Sequence, residues 1–230
     1  MVYHHHHYGL NSIYTQAKRG GQSPLFAITF GFMAGLKSFL YGVAPILGVS
    51  PSALYERQRA LVNIGVLETT TGRGPGSGVP FTAENVAAIL ISLLAADSLS
   101  KVDKCVADLC GAPPVVLVPA RIYRHNWVKG GKPTFRSDVG RLLAGQRPIW
   151  NSDHNFKLDS FFEIRVTRPW RGQLVNSAGV PFDYFPSGDV DEAMVGLSIS
   201  ITAAIERGML SELITFTKGA LSQIEAGEND

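Results

Sequence analysis

Apolar residues fall along this chain in groups of different spacing, and the spacing predicts the elements. Residues 25–40 carry Leu25, Phe26, Ile28, Phe30, Phe32, Met33, Leu36, Phe39 and Leu40, and the later members recur at three and four, as on one face of a helix. Gly42 reads as an interruption, followed by a short second helical stretch over 43–47. Gly48-Val49-Ser50 predicts a turn. Ser50 is a good N-cap, and Pro51 suits the first helical position, where its missing N–H is not needed. The helix that starts there is expected to run to about Asn63 and to stop near Gly65. Residues 66–68 read as a short strand, 69–78 as a glycine-rich loop and 79–81 as the returning strand. Thr82 then caps a helix over 83–96 with little polar surface after Asn85, and a further helix is expected over about 100–109.

The pattern changes after Gly111-Ala112-Pro113-Pro114, the best domain boundary in the chain. Strands are expected at 115–118, about 121–128 and 161–167, where Phe-Phe-Glu-Ile-Arg-Val-Thr alternates, and a hairpin near 173–180. A helix over 134–143 has Thr134 or Ser137 as its cap. Residues 198–202 read as a strand leading into a helix from about 203 to 221. The expected class is α+β, in three parts: a flexible segment over 1–23, a mainly helical winged domain over 24–112, and an α+β domain over 113–230.

Residues 44–67 carry the most specific pattern. Ala44 is small where two helices must approach, Leu47 and Val49 flank the turn, and Gly48 permits a positive φ there. Leu54 and Leu61 are seven apart and face inward together, and Leu67 returns to the core. This stretch resembles the helix-turn-helix core of winged-helix regulators, such as the MarR-like and related families. The resemblance implies that helix 51–64 reads the major groove of double-stranded DNA and that loop 69–78 serves as a wing. With Leu54 inward, Ser52, Glu56, Arg59 and Asn63 lie on the opposite face, flanked by Ala53, Tyr55 and Arg57. Short polar and charged groups of this kind suit base edges and phosphates. Ser50 and Ser52 sit at a helix N-terminus that favours phosphate, and Arg73 stands within the loop. Two positions depart from the family: Gln58 leans inward where an aliphatic residue is usual, and Pro45 lies inside a helix.

Charge supports this reading modestly. The whole chain carries a formal +2. Residues 18–73 hold six basic and two acidic residues, an excess of four, whereas the 13 basic and 13 acidic residues from 113 onward cancel. Hydrophobic residues at 45% and charged ones at 17% mark an ordinary globular chain. Cys105 and Cys110 point in different directions on one helix and read as reduced thiols of a cytoplasmic protein. His4 to His7 form a terminal run without fixed geometry.

Other chemistry is thinner. Gly76-Ser77-Gly78 lacks the spacing of a nucleophile elbow. Asp153-His154 resembles an acid–base pair only as sequence neighbours. Asp189, Asp191 and Glu192 can hold a divalent cation or start a helix. Two basic-aromatic stretches, 121–127 and 167–171, can stack on bases or anchor a core. The expectation is a sequence-specific DNA-binding regulator, not an enzyme, without cofactor, metal or membrane, acting as a homodimer. The alternatives are a phage or mobile-element DNA-packaging or maintenance protein, and an enzyme with its site in 113–230.

Overall fold

The computed structural model describes residues 35–70, 78–102, 104–118, 121–123, 133–146, 161–168, 171–176, 181–186 and 201–227. Six α-helices and six strands fall in these segments: α1 (Leu36–Leu47), α2 (Pro51–Asn63), α3 (Ala83–Ala95), α4 (Lys104–Cys110), β1 (Pro114–Val118), β2 (Arg121–Tyr123), α5 (Phe135–Leu143), β3 (Phe161–Arg168), β4 (Arg171–Asn176), β5 (Pro181–Tyr184), β6 (Ile201–Ile205) and α6 (Arg207–Gly227). The class is α+β, helices first and strands later. All six strands form one antiparallel sheet in the order β2-β1-β5-β4-β3-β6.

Local signals place three of the six helix starts. Ser50 accepts the Ala53 N–H, and Thr82 accepts the Asn85 N–H. Thr134 and Ser137 close a reciprocal capping box at the start of α5. Gly48 and Gly65 both adopt the positive φ that lets the chain leave α1 and α2.

Four local expectations are corrected. Gly42 does not interrupt: α1 runs unbroken through it and through Pro45. Tertiary packing explains the glycine, because a Cβ there would collide with the Phe216 ring of α6. The helix expected over 100–109 is split into a 3-10 turn at Leu99–Lys101 and the short α4. In place of strands at 66–68 and 79–81, isolated antiparallel bridges join Thr70 to Gly78 and Gly35 to Pro80. The start of the last helix also moves, since residues 203–205 continue β6 and α6 begins at Arg207.

The inward face of the sheet carries Ile164, Val166, Leu174, Tyr184 and Ile205, all buried. Helices α3, α5 and α6 pack against it. Gly172 on this face leaves room for the buried Phe135 ring, which a Cβ would approach to 2.7 Å. Tyr184 donates its hydroxyl to Asp138 at 3.0 Å, tying β5 to α5 with both groups fully buried. On the other face, Arg165 pairs with Glu163, while Arg171 and Gln173 share Asp183 Oδ1. The guanidinium of Arg171 is thus taken up by its neighbour across the sheet.

Helix α3 explains how the halves join. Ten of its 13 residues are buried, because α2 and α4 cover one side while α5, β3 and β6 cover another. A helix apolar on nearly all sides needs such a sleeve. The sleeve is supplied within the chain, so the composition of α3 does not call for a second copy. Phe39 makes a parallel bridge, with ring centroids 4.6 Å from Phe81 and 5.1 Å from Phe216. Secondary structure therefore changes at 111–114, but one buried cluster includes residues from both sides.

Candidate nucleic-acid interface

The candidate surface is built by α1, the turn at 48–50, α2 and the segment that follows it. Helix α2 buries Leu54, Arg57, Gln58 and Leu61, which are spaced as one helical stripe. The opposite side holds Ser52, Ala53, Arg59 and Asn63 exposed, with Tyr55 and Glu56 half-buried beside them. Eight of the nine residues expected at the interface lie in α2 or its cap. The ninth, Arg73, lies outside the described residues, as do His125, His154 and residues 189–192.

Arg57 departs from its expected place. It stands three residues after Leu54 and four before Leu61, which turns it into the protein, not along the flank. Its guanidinium donates to the backbone oxygens of Ser92 and Ala96, each at 2.8 Å. These carbonyls close the C-terminal end of α3, where a cation is favoured by the helix dipole and by unmet acceptors. Arg57 is 8% exposed and is a strut between α2 and α3, not an available DNA contact. Gln58 is buried as expected, and its Oε1 has no hydrogen-bond partner among the described residues.

Arg59 has the opposite environment. Its side chain is 63% exposed and rests 3.3 Å from Glu56, one helical turn back. A surface pair of this kind is worth only a few tenths of a kcal/mol. The guanidinium can therefore leave Glu56 for a better acceptor at little cost. Ser50 uses its oxygen for the cap, and its hydroxyl lies 3.1 Å from that of Ser52.

Comparison with known proteins finds no counterpart. No family model matches the chain, no curated protein is similar to it, and no solved structure matches its fold.

The fold adds a residue that the helix pattern of α2 missed. Lys37, in the first turn of α1, places Nζ 4.6 Å from the centroid of the Tyr55 ring. This cation–π contact brings a second positive charge to the exposed side of α2. Only its place in the basic 18–73 region hinted at Lys37 in the sequence. Tyr41, one turn further along α1, is 56% exposed.

The remaining chemistry on the described residues is quiet. No helix among them is long and apolar enough to cross a membrane. They contain no group of three His, Cys, Asp or Glu side chains able to hold a metal ion. Neither Cys105 nor Cys110 is in a disulfide. Burial pushes the Cys110 thiol up from 9.0 to about 12, against a smaller lowering by the charge of Arg136. A thiol so buried is a poor nucleophile, because the thiolate is the reactive form. Cys110 is accordingly expected to resist iodoacetamide at pH 8 in the folded protein and to react once urea unfolds it. Peptide mapping after timed labelling checks this, and rapid native labelling of Cys110 would contradict the burial.

Proposed function

We propose that this protein binds double-stranded DNA sequence-specifically and acts as a transcriptional regulator. Helix α2 enters the major groove, and the segment over 69–78 serves as a wing on the adjacent backbone or minor groove. One observation carries the reading. Two helices joined by a three-residue turn leave the polar side of the second exposed, and the next segment pairs back antiparallel through Thr70 and Gly78, then through Pro80 to Gly35. A helix presented in this way fits the width of the major groove. The basic excess over 18–73 supports the same reading. So does the placement of Arg59 and Lys37 on this side of the chain.

In this reading Arg59 takes guanine by its paired donors, and Glu56 accepts from a cytosine amine. Ser52 and Lys37 hold phosphates, with Arg73 doing the same from the wing. A two-fold dimer on paired half-sites completes the proposal.

Selection of bound sites from random duplex DNA tests binding and specificity together. A defined consensus is expected. Arg59→Ala is expected to weaken the selected site by roughly 1–3 kcal/mol and to blur the consensus at one position. Wild-type affinity should fall steeply between about 50 and 200 mM salt, with a log–log slope near −0.9 per neutralised phosphate. Enrichment of no sequence, or binding indifferent to salt, would remove the DNA reading. Wild-type binding left untouched by Arg59→Ala would mean that α2 is not the reading helix.

A further inference from the structure

The carbonyls on either side of the proposed wing are held by a chain of hydrogen bonds that starts in the other half of the molecule. Arg136, in the first turn of α5, spreads its three guanidinium nitrogens over three acceptors. Nη1 donates to the Val66 oxygen at 2.7 Å, Nε to the Glu84 oxygen at 3.1 Å and Nη2 to Asn85 Oδ1 at 2.7 Å. Asn85 is buried, and its Nδ2 donates onward to the Pro80 oxygen at 2.8 Å. Val66 lies where the chain leaves α2, and Pro80 lies where it returns towards α3. Arg136, acting with Asn85, therefore ties both legs of the segment to the first turn of α3.

The approach of α5 makes this reach possible. Gly140, one turn after Arg136, faces the same first turn of α3. A Cβ at Gly140 would stand 3.0 Å from the Glu84 Cα and N, closer than ordinary packing. Lysine could not replace the fork, because a single nitrogen cannot reach three acceptors set apart in this way.

We infer that Arg136 is a positioning residue for the base of the wing: residues beyond 114 set where its two legs, 66–70 and 78–80, stand relative to α2, and so set DNA affinity without touching DNA. The inference rests on the DNA-binding reading above and assigns part of the second half a role within it. Within the segment, Thr70 and Gly78 bond through both backbone N–H groups and through the Thr70 hydroxyl to the Gly78 oxygen, and further backbone bonds run from Leu36 N–H to Val79 O and from Val66 N–H to Leu61 O. Arg136 and Asn85 are the side chains that tie Val66 and Pro80 to the first turn of α3.

The test compares wild type with Arg136→Lys, Arg136→Met and Asn85→Leu in the full-length chain. Amide hydrogen exchange is read at Thr70 and Gly78, whose N–H groups bond to each other's carbonyls. The β3–β4 ladder at Ile164, Val166 and Leu174 is the internal reference. Exchange at Thr70 and Gly78 should rise about tenfold in Arg136→Lys while the ladder changes less than about twofold, because local opening is decoupled from global unfolding. Duplex affinity on the selected site should fall about tenfold, since the free protein must then order the two legs at the wing's base on binding. If Arg136→Met fails to fold, Arg136→Lys and Asn85→Leu still give the comparison.

Equal acceleration at the wing base and the ladder would show a merely structural residue and overturn the inference. So would unchanged exchange at Thr70 and Gly78, or selective acceleration with unchanged affinity. Selective acceleration in a protein whose wild type binds no duplex would keep the clamp and remove the DNA reading.

Discussion

Arg57→Ala is expected to cost about 3 kcal/mol of stability, although arginines on helices usually sit in solvent where truncation is nearly free. The guanidinium is buried between α2 and α3 and makes two short bonds to backbone oxygens. Charge-assisted bonds of this type contribute about 1.5–3 kcal/mol each. The Ser92 oxygen retains the Ala96 N–H at 3.0 Å, so its loss is partial. Ala96 loses the Arg57 donor from a fully buried position. For a chain of this size, about 3 kcal/mol lowers the melting temperature by roughly 6–12 °C. Arg57→Lys should fall in between, since one ammonium can satisfy part of the pair. Arg59→Ala is the control and should shift stability by less than about 0.5 kcal/mol. Thermal unfolding followed by circular dichroism separates the two. Wild-type melting of Arg57→Ala would return Arg57 to the surface and reopen it as a DNA contact.

A chain ending at residue 112 is expected to lose cooperative folding altogether. It would keep α1 to α4 but strip α3 of α5, β3 and β6, and strip Phe39 of Phe216. Each fully buried Leu or Ile contributes about 1.5–3 kcal/mol. Net stability of a domain is only about 5–15 kcal/mol. Re-exposing even about four such side chains consumes most of it, before the hydrogen bonds of Arg136 are counted. The fragment should bind a hydrophobic dye, unfold over a broad range and give a poorly dispersed NMR spectrum. The full chain should unfold in one transition by both near- and far-ultraviolet dichroism. A sharp, native-like transition in the fragment would show that the two halves carry separate cores.

These two expectations mark where sequence pattern and packing part company. Helix α2 was legible almost to the residue, because its signals are local: Ser50 caps, Pro51 starts and Gly65 releases the chain. The cap of α3 at Thr82, the start of α5 at Thr134 and the alternating strand β3 were readable for the same reason. The inward stripe of α2 was also present in the spacing of Leu54, Arg57, Gln58 and Leu61. The count of about 100° per residue set Arg57 on the flank of the polar face, and the acceptors that draw it in lie 35 and 39 residues away.

The same limit explains the other corrections. Gly42 reads as a break because a glycine lowers helix propensity, yet a ring from α6 requires its missing side chain. The apolar run of α3 showed that it must be buried, but not by what, since a hydrophobic surface does not name its partner. The proline-rich stretch at 111–114 marked the change from helices to strands and was silent on whether packing continues across it. Sequence by itself determined the caps, the periodicities and the class of the fold, since these depend on residues a few positions apart. Tertiary structure alone decided that Arg57 is a strut, that Lys37 joins Tyr55 and that Arg136 holds the base of segment 66–80. Those roles depend on acceptors, rings and clefts brought together from distant segments, which no local pattern encodes.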